Sequence, residues 1–200
     1  NLEIVVKVPE GTELDYKLLN IDAKVKTANK DGYTQYTWTF KNLEHNVNEP
    51  NQPHGQHHLA RLIFSNVNTA QALQQISNTD LTLSDEMKQF VTKKITGKKK
   101  EVHIIRELQK VIGDEMNHFN IPIEYAAYSA RSLKDVWKSN GATDIERSML
   151  LNKMLQHSGV NSQMIYAIPK NYYEDGLGVI SGTGHFYNLV KINNEELLIK

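Results

Sequence analysis

Hydrophobic positions change their period near residue 66. Before it they alternate. Residues 2–8, LEIVVKV, read as a strand, and Gly11 marks a turn. A weaker strand signal covers residues 15–28, including Ile21 to Val25. Asn29, Lys30, Asp31 and Gly32 form a turn, and 33–40 follows in strict alternation. Tyr36, Trp38 and Phe40 then share one face, with Thr37 and Thr39 on the other. A polar, proline-bearing loop occupies 42–57, and 58–66 returns as a strand.

After residue 66 the spacing becomes helical. A short helix is expected over 69–77, and another over 84–95, where Ser84 caps and Asp85 and Glu86 fill the first turn. Gly97 and the lysines at 98–100 punctuate the chain. Residues 101–119 give the clearest amphipathic helix, with Ile104, Ile105, Leu108, Val111, Ile112, Met116 and Phe119 on one stripe and Pro122 beyond. A further short helix covers 132–138, and Asn140-Gly141 breaks it. Thr143 followed three residues later by Glu146 is a capping box, opening a helix through Ile145, Met149, Leu150, Leu151, Met154 and Leu155. Gly159 closes that helix at C′. Beyond it lie a strand at 163–168, a loop with Gly176, Gly178, Gly182 and Gly184, a strand at 185–192, a turn at Asn193-Asn194 and a strand at 195–199.

Composition narrows the function classes. Two hundred residues with 40% hydrophobic content support one large or two small domains. Lys and Arg number 23, as do Asp and Glu, so no global charge argues for nucleic acid or an anionic membrane surface. No apolar run approaches the roughly 18 residues that a span needs. The opening NLEIVVKV lacks a signal-peptide pattern and suggests a trimmed mature fragment. The absence of cysteine excludes disulfides and thiolate metal sites without identifying a compartment.

Four features carry candidate chemistry. His54, His57 and His58, with His45 nearby, could supply imidazoles to zinc or nickel; no acidic or thiol ligand sits at a matching spacing, so exposed loop histidines without metal are expected. Lys93, Lys94 and the lysines at 98–100 lack interleaved aromatics and read as a solvated surface. Trp137 and the tyrosines at 166, 172, 173 and 187 could line a ligand groove, although strand aromatics serve equally well as core. The N-terminus of the helix at Thr143 favours an anion or thiolate. Thr143 itself lacks the neighbouring amine that threonine nucleophiles rely on and is expected to cap. Asp144 could act as a base with His185, or simply complement the helix dipole.

The stretch 137–159, WKSNGATDIERSMLLNKMLQHSG, resembles the nucleophile helix of the transglutaminase-like, papain-fold superfamily, in a segment like G-x-C-x-D followed by a leucine run and a glycine. Gly141 and LLNKMLQHSGV match; the cysteine does not, its place falling on Thr143 or Asp144. His185 in GHFYNLVKI is similar to the superfamily's catalytic histidine, and the third member, an Asp, would follow ELLIK. The earlier region, through Tyr36-Thr37-Trp38, Asn42-Leu43, Glu49 to Pro53 and Ile63-Phe64-Ser65, resembles the bacterial β-sandwich of unknown function that precedes such cores. The resemblance implies an α+β fold: the C-terminal part of a β-sandwich over 1–66, then a papain-like core over 67–200, its helices packed on an antiparallel sheet and its C-terminus truncated. It also implies a periplasmic or extracellular location. With the thiol missing, the expected function is a non-catalytic binding or scaffolding module for a peptide or glycan, with no cofactor and no enzyme activity. The alternative is a hydrolase working without cysteine around Asp144 and His185.

Overall fold

A computed structural model describes residues 1–43, 58–123, 125–126, 128–170, 176–178, 180, 184–193 and 195–200. It is a mixed α/β chain with five helices and several antiparallel sheets among those residues, dividing into two compact units. The first comprises residues 1–73 and 170–180, the second residues 74–169 and 181–200.

In the first unit, β1 (Leu2–Pro9), β4 (Tyr33–Phe40) and β3 (Val25–Lys30) make an antiparallel sheet in that order. Asp31 and Gly32 join β3 to β4 with φ of 54° and 76°. Two consecutive positive φ values are what a two-residue hairpin needs to match the strand twist, and Asp-Gly tolerates them. Trp38 is fully buried, as its alternation demands, with Tyr36 stacked at 6.1 Å and Tyr16 edge-on at 5.2 Å. Tyr16 belongs to β2 (Asp15–Leu19), which pairs antiparallel with β5 (Arg61–Ser65). The weak strand signal over 15–28 thus resolves into two strands. Between them Asn20 takes φ 55°, and its amide donates to the Leu59 carbonyl at 3.0 Å.

Helix α1 (Thr69–Ile76) leads into the second unit, which holds α2 (Asp85–Ile95), α3 (Glu101–Asp114), α4 (Leu133–Ser139) and α5 (Asp144–His157). Its sheet runs β10 (Glu195–Ile199), β9 (His185–Ile192), β8 (Ser162–Ala167), all antiparallel. Helix α5 is the core element. Met149, Leu150, Leu151, Met154 and Leu155 are all buried, and α2, α3, α4, β8 and β9 pack around it. A helix apolar on most of its circumference is buried on more than one side. Polar bonds fix its register against the sheet: Ser148 Oγ donates to the Phe186 carbonyl at 3.1 Å, and Asn188 Nδ2 donates to the Ser148 carbonyl at 3.1 Å. Gly159, at φ 81°, follows the C-cap Ser158.

The amphipathic helix expected over 101–119 ends at Asp114. Met116 is still buried, but the chain after it straightens into β6 (Asn117–His118), which pairs parallel with β7 (Gly141–Ala142). Asn117 N–H donates to the Asn140 carbonyl at 3.1 Å and Phe119 N–H to the Ala142 carbonyl at 2.9 Å. These long-range bonds take donors that a helix would have used, and tertiary pairing overrides the stripe. Helix α4 depends more on local chemistry. Ser132 Oγ accepts from Asp135 N–H at 3.2 Å and donates to the Asp135 carboxylate at 2.6 Å. Ser132→Ala should lower stability by about 1 kcal/mol, read as a shifted urea midpoint with an unchanged slope.

No helix among the described residues is long and apolar enough to cross a membrane.

Candidate functional site

The capping box forms at Thr143, where φ is −73° and ψ 169°. Glu146 Oε2 accepts from Thr143 N–H at 2.9 Å. The same carboxylate accepts from Arg131, through the backbone N–H at 3.0 Å, Nε at 2.8 Å and Nη2 at 2.8 Å. Arg131 Nη2 also donates to the Gly141 carbonyl at 2.8 Å, and Nη1 to Ser139 Oγ at 3.1 Å. One guanidinium thereby holds the end of α4, β7 and the first turn of α5 together. Burial alone would raise the Glu146 carboxyl. The Arg131 side chain, with the N–H groups of Thr143 and Arg131, outweighs it and holds the group at about 2. Around this clamp the backbone is close-packed: a Cβ at Gly141 would sit 2.3 Å from the Phe119 ring. Only glycine there lets Phe119 lie against β7.

With the first turn fixed, Asp144 stands at the first helical position. The register of β6 on β7 pairs His118 with Ala142, two residues before Asp144. His118 Nε2 lies 2.9 Å from Asp144 Oδ1, and Lys200 Nζ lies 3.0 Å from Oδ2. Partial burial pushes the Asp144 carboxyl up, but Lys200, His118 and Arg147 together hold it below its ordinary value.

His185 comes from the other wall. It opens β9, opposite Ala167, while its neighbour Phe186 pairs with Tyr166. Tyr166 and Phe186 rings sit 5.0 Å apart. A Cβ at Gly184 would fall 2.1 Å from the Tyr166 ring, so glycine lets that ring close over the start of β9. His118, Thr143, Asp144, Tyr166 and His185 all line one open cavity of about 210 Å³, beside an apolar wall that includes Phe119, Ile121 and Pro122.

Of the residues singled out from sequence, Thr143, Asp144, Tyr166 and His185 therefore share a cavity. Tyr187 packs edge-on to His185 at 6.3 Å between ring centres. Trp137 lies against α2, its indole donating to Glu86 at 3.2 Å and its ring meeting Phe90 edge-on at 5.0 Å. Among the described residues no hydrogen bond or ion pair joins Asp144 to His185; the imidazole on Asp144 is His118. His45, His54 and His57, with Tyr172 and Tyr173, lie outside the described residues. His118 is the cavity residue that sequence reasoning missed, because it sits at the end of a stripe that reads as helix.

Comparison with known proteins gives a fold. No family model and no curated protein matches the chain. A crystal structure described as a "putative protease" from Parabacteroides distasonis superposes with a TM-score of 0.83 at 23% identity, over 99% of this chain and 39% of that one. A second, described as a "putative cysteine protease" from Cytophaga hutchinsonii, covers 97% of this chain and 65% of that one, with a TM-score of 0.45 and 7% identity. The chain thus spans about two-fifths of the length of the Parabacteroides protein. The expectation that it is not an enzyme is corrected: the Parabacteroides structure whose fold the chain shares is described as a "putative protease", so the fold gives no ground for excluding an enzyme. The missing cysteine does not settle the matter, because a positioned acid–base pair can activate water directly.

Proposed function

We propose that this chain carries the site of a peptide-bond hydrolase, built on a papain- or transglutaminase-like core that follows a partial β-sandwich in the sequence, and that it uses water in place of a thiol. The observation that carries the reading is the cavity in which His118, paired to Asp144, and His185 line the N-terminus of α5. A base needs an acid to orient it. His118 Nε2 lies 2.9 Å from Asp144 Oδ1, so a proton carried on Nε2 faces the carboxylate and leaves Nδ1 of the ring as the proton acceptor. Water attacks the amide carbon and gives its proton to His118. The carbonyl oxygen, now negative, is met by N–H groups of the first turn of α5, which lack intrahelical partners. His185 supplies the proton that the leaving amine needs as the C–N bond breaks, and proton exchange with solvent resets both rings.

The test is hydrolysis of a fluorogenic peptide library by the purified chain and by His185→Ala. Wild type should cleave, and the variant should lose about 10²-fold in kcat/KM with its unfolding midpoint unchanged. No cleavage by wild type would remove the hydrolase reading, and equal rates for the two proteins would remove His185 as its acid.

A further inference from the structure

His118 and Asp144 also line a second cavity, of about 390 Å³, which Ile112 on α3, Arg147 and Leu151 on α5, and Lys200 help to enclose. Its charges do not cancel. Among the described residues that line it, Asp144 carries the only acidic side chain, and Lys200 Nζ lies 3.0 Å from that group. Gln109 holds the Lys200 backbone in place, its amide donating to the Lys200 carbonyl at 3.0 Å. Arg147 is left as a surplus cation. Its guanidinium has five N–H donors; one bond, from Nη2 to the Ile112 carbonyl at 2.6 Å, fixes its orientation. No ion pair neutralises it among the described residues. A guanidinium with spare donors, set among Ile112 and Leu151, matches a carboxylate in charge and in geometry.

We infer that this second cavity is a subsite for a carboxylate of the peptide substrate, bound by Arg147 beside the His118–Asp144 pair. The inference rests on the hydrolase reading for the word substrate, but the binding it asserts can be measured without turnover. The carboxylate has two sources: an acidic side chain or the peptide's own C-terminus. Asp144 and Arg147 are three residues apart and so lie on one face of α5. A substrate whose amide reaches the first cavity would thereby present its anionic group to the second.

Calorimetric binding separates the cases. The probes are N-acetylated alanine pentapeptides: one with a central glutamate and an amidated C-terminus, its glutamine counterpart, and the glutamine peptide with a free C-terminal carboxylate. Wild type should bind one of the two carboxylate-bearing peptides about 10-fold or more tightly than the capped glutamine peptide. Whichever wins names the source. Arg147→Gln should erase that preference while leaving the capped glutamine peptide's affinity unchanged. Equal affinities for all three peptides, no measurable binding of any, or a preference that survives Arg147→Gln would overturn the subsite. Preference without cleavage keeps the subsite and removes the hydrolase; cleavage without preference does the reverse.

Discussion

His118→Ala should lower peptide hydrolysis by about 10³- to 10⁴-fold, the largest loss expected of any single side chain in the site. In the proposed mechanism the ring is the base, and among the described residues no other imidazole forms an ion pair with Asp144. Asp144→Asn tests the same pair differently. An asparagine oxygen can still accept from Nε2–H, so the ring keeps much of its orientation but loses the negative charge that stabilises it once protonated. A smaller loss, about 10²-fold, is expected. Lys200 and His118 hold Asp144 ionised to below the ordinary carboxylate range. The acid limb of the wild-type pH–rate profile should then show no Asp144 step in the ordinary carboxylate range. Asp144 and its partners are each more than a third exposed, so breaking their contacts should cost stability less than about 1 kcal/mol. Activity lost at an unchanged unfolding midpoint is the signature; activity retained in His118→Ala would sink the assignment of the base.

Much of the fold was legible because it rests on local chemistry. The hairpin at Asp31-Gly32, the Ser84 and Ser132 caps, the capping box and the glycine after α5 each follow from two or three neighbouring residues. Asp144 and His185, grouped by family resemblance and not by periodicity, line one cavity, with no hydrogen bond or ion pair joining them among the described residues. What stayed hidden depends on contacts between distant residues. The pairing of β6 with β7 is two residues long on each side and joins segments 24 residues apart, as in Asn117 with Gly141. No period can show in two residues, and Met116 and Phe119 continue the helical stripe across them. His118 was lost with that strand. Arg131 was missed for a related reason: its value lies in bonds to Glu146, Gly141 and Ser139, and nothing in a lone arginine announces them. Trp137, an aromatic beside the central helix that drew attention as a binding residue, packs on Phe90 and is not among the residues lining the cavity that holds Asp144.

Glu146→Gln should destabilise the second unit by about 3 kcal/mol at neutral pH, and the deficit should shrink in acid. The carboxylate is only 3% exposed and accepts four hydrogen bonds, three of them from Arg131. An amide of the same shape offers one oxygen and turns an NH₂ group toward those donors, leaving some of them unmet. The pH dependence follows from the folded carboxyl at about 2 against an ordinary 4.5. A depressed folded value means that the contribution is fully present above about pH 4.5 and is lost as pH falls toward 2. Its size from that difference is about 3 kcal/mol. Other acids titrate in the same window, so the informative quantity is the gap between wild type and Glu146→Gln in urea unfolding at pH 7, 4 and 2.5. The gap should narrow stepwise; one that stays constant would mean that the charge on Glu146 contributes nothing and that shape alone matters. The consequence reaches the site, because Arg131 and Glu146 fix the turn that aims Asp144 at His118. In acid, hydrolysis should therefore fall before the unit unfolds, as the clamp on α5 loosens ahead of its core.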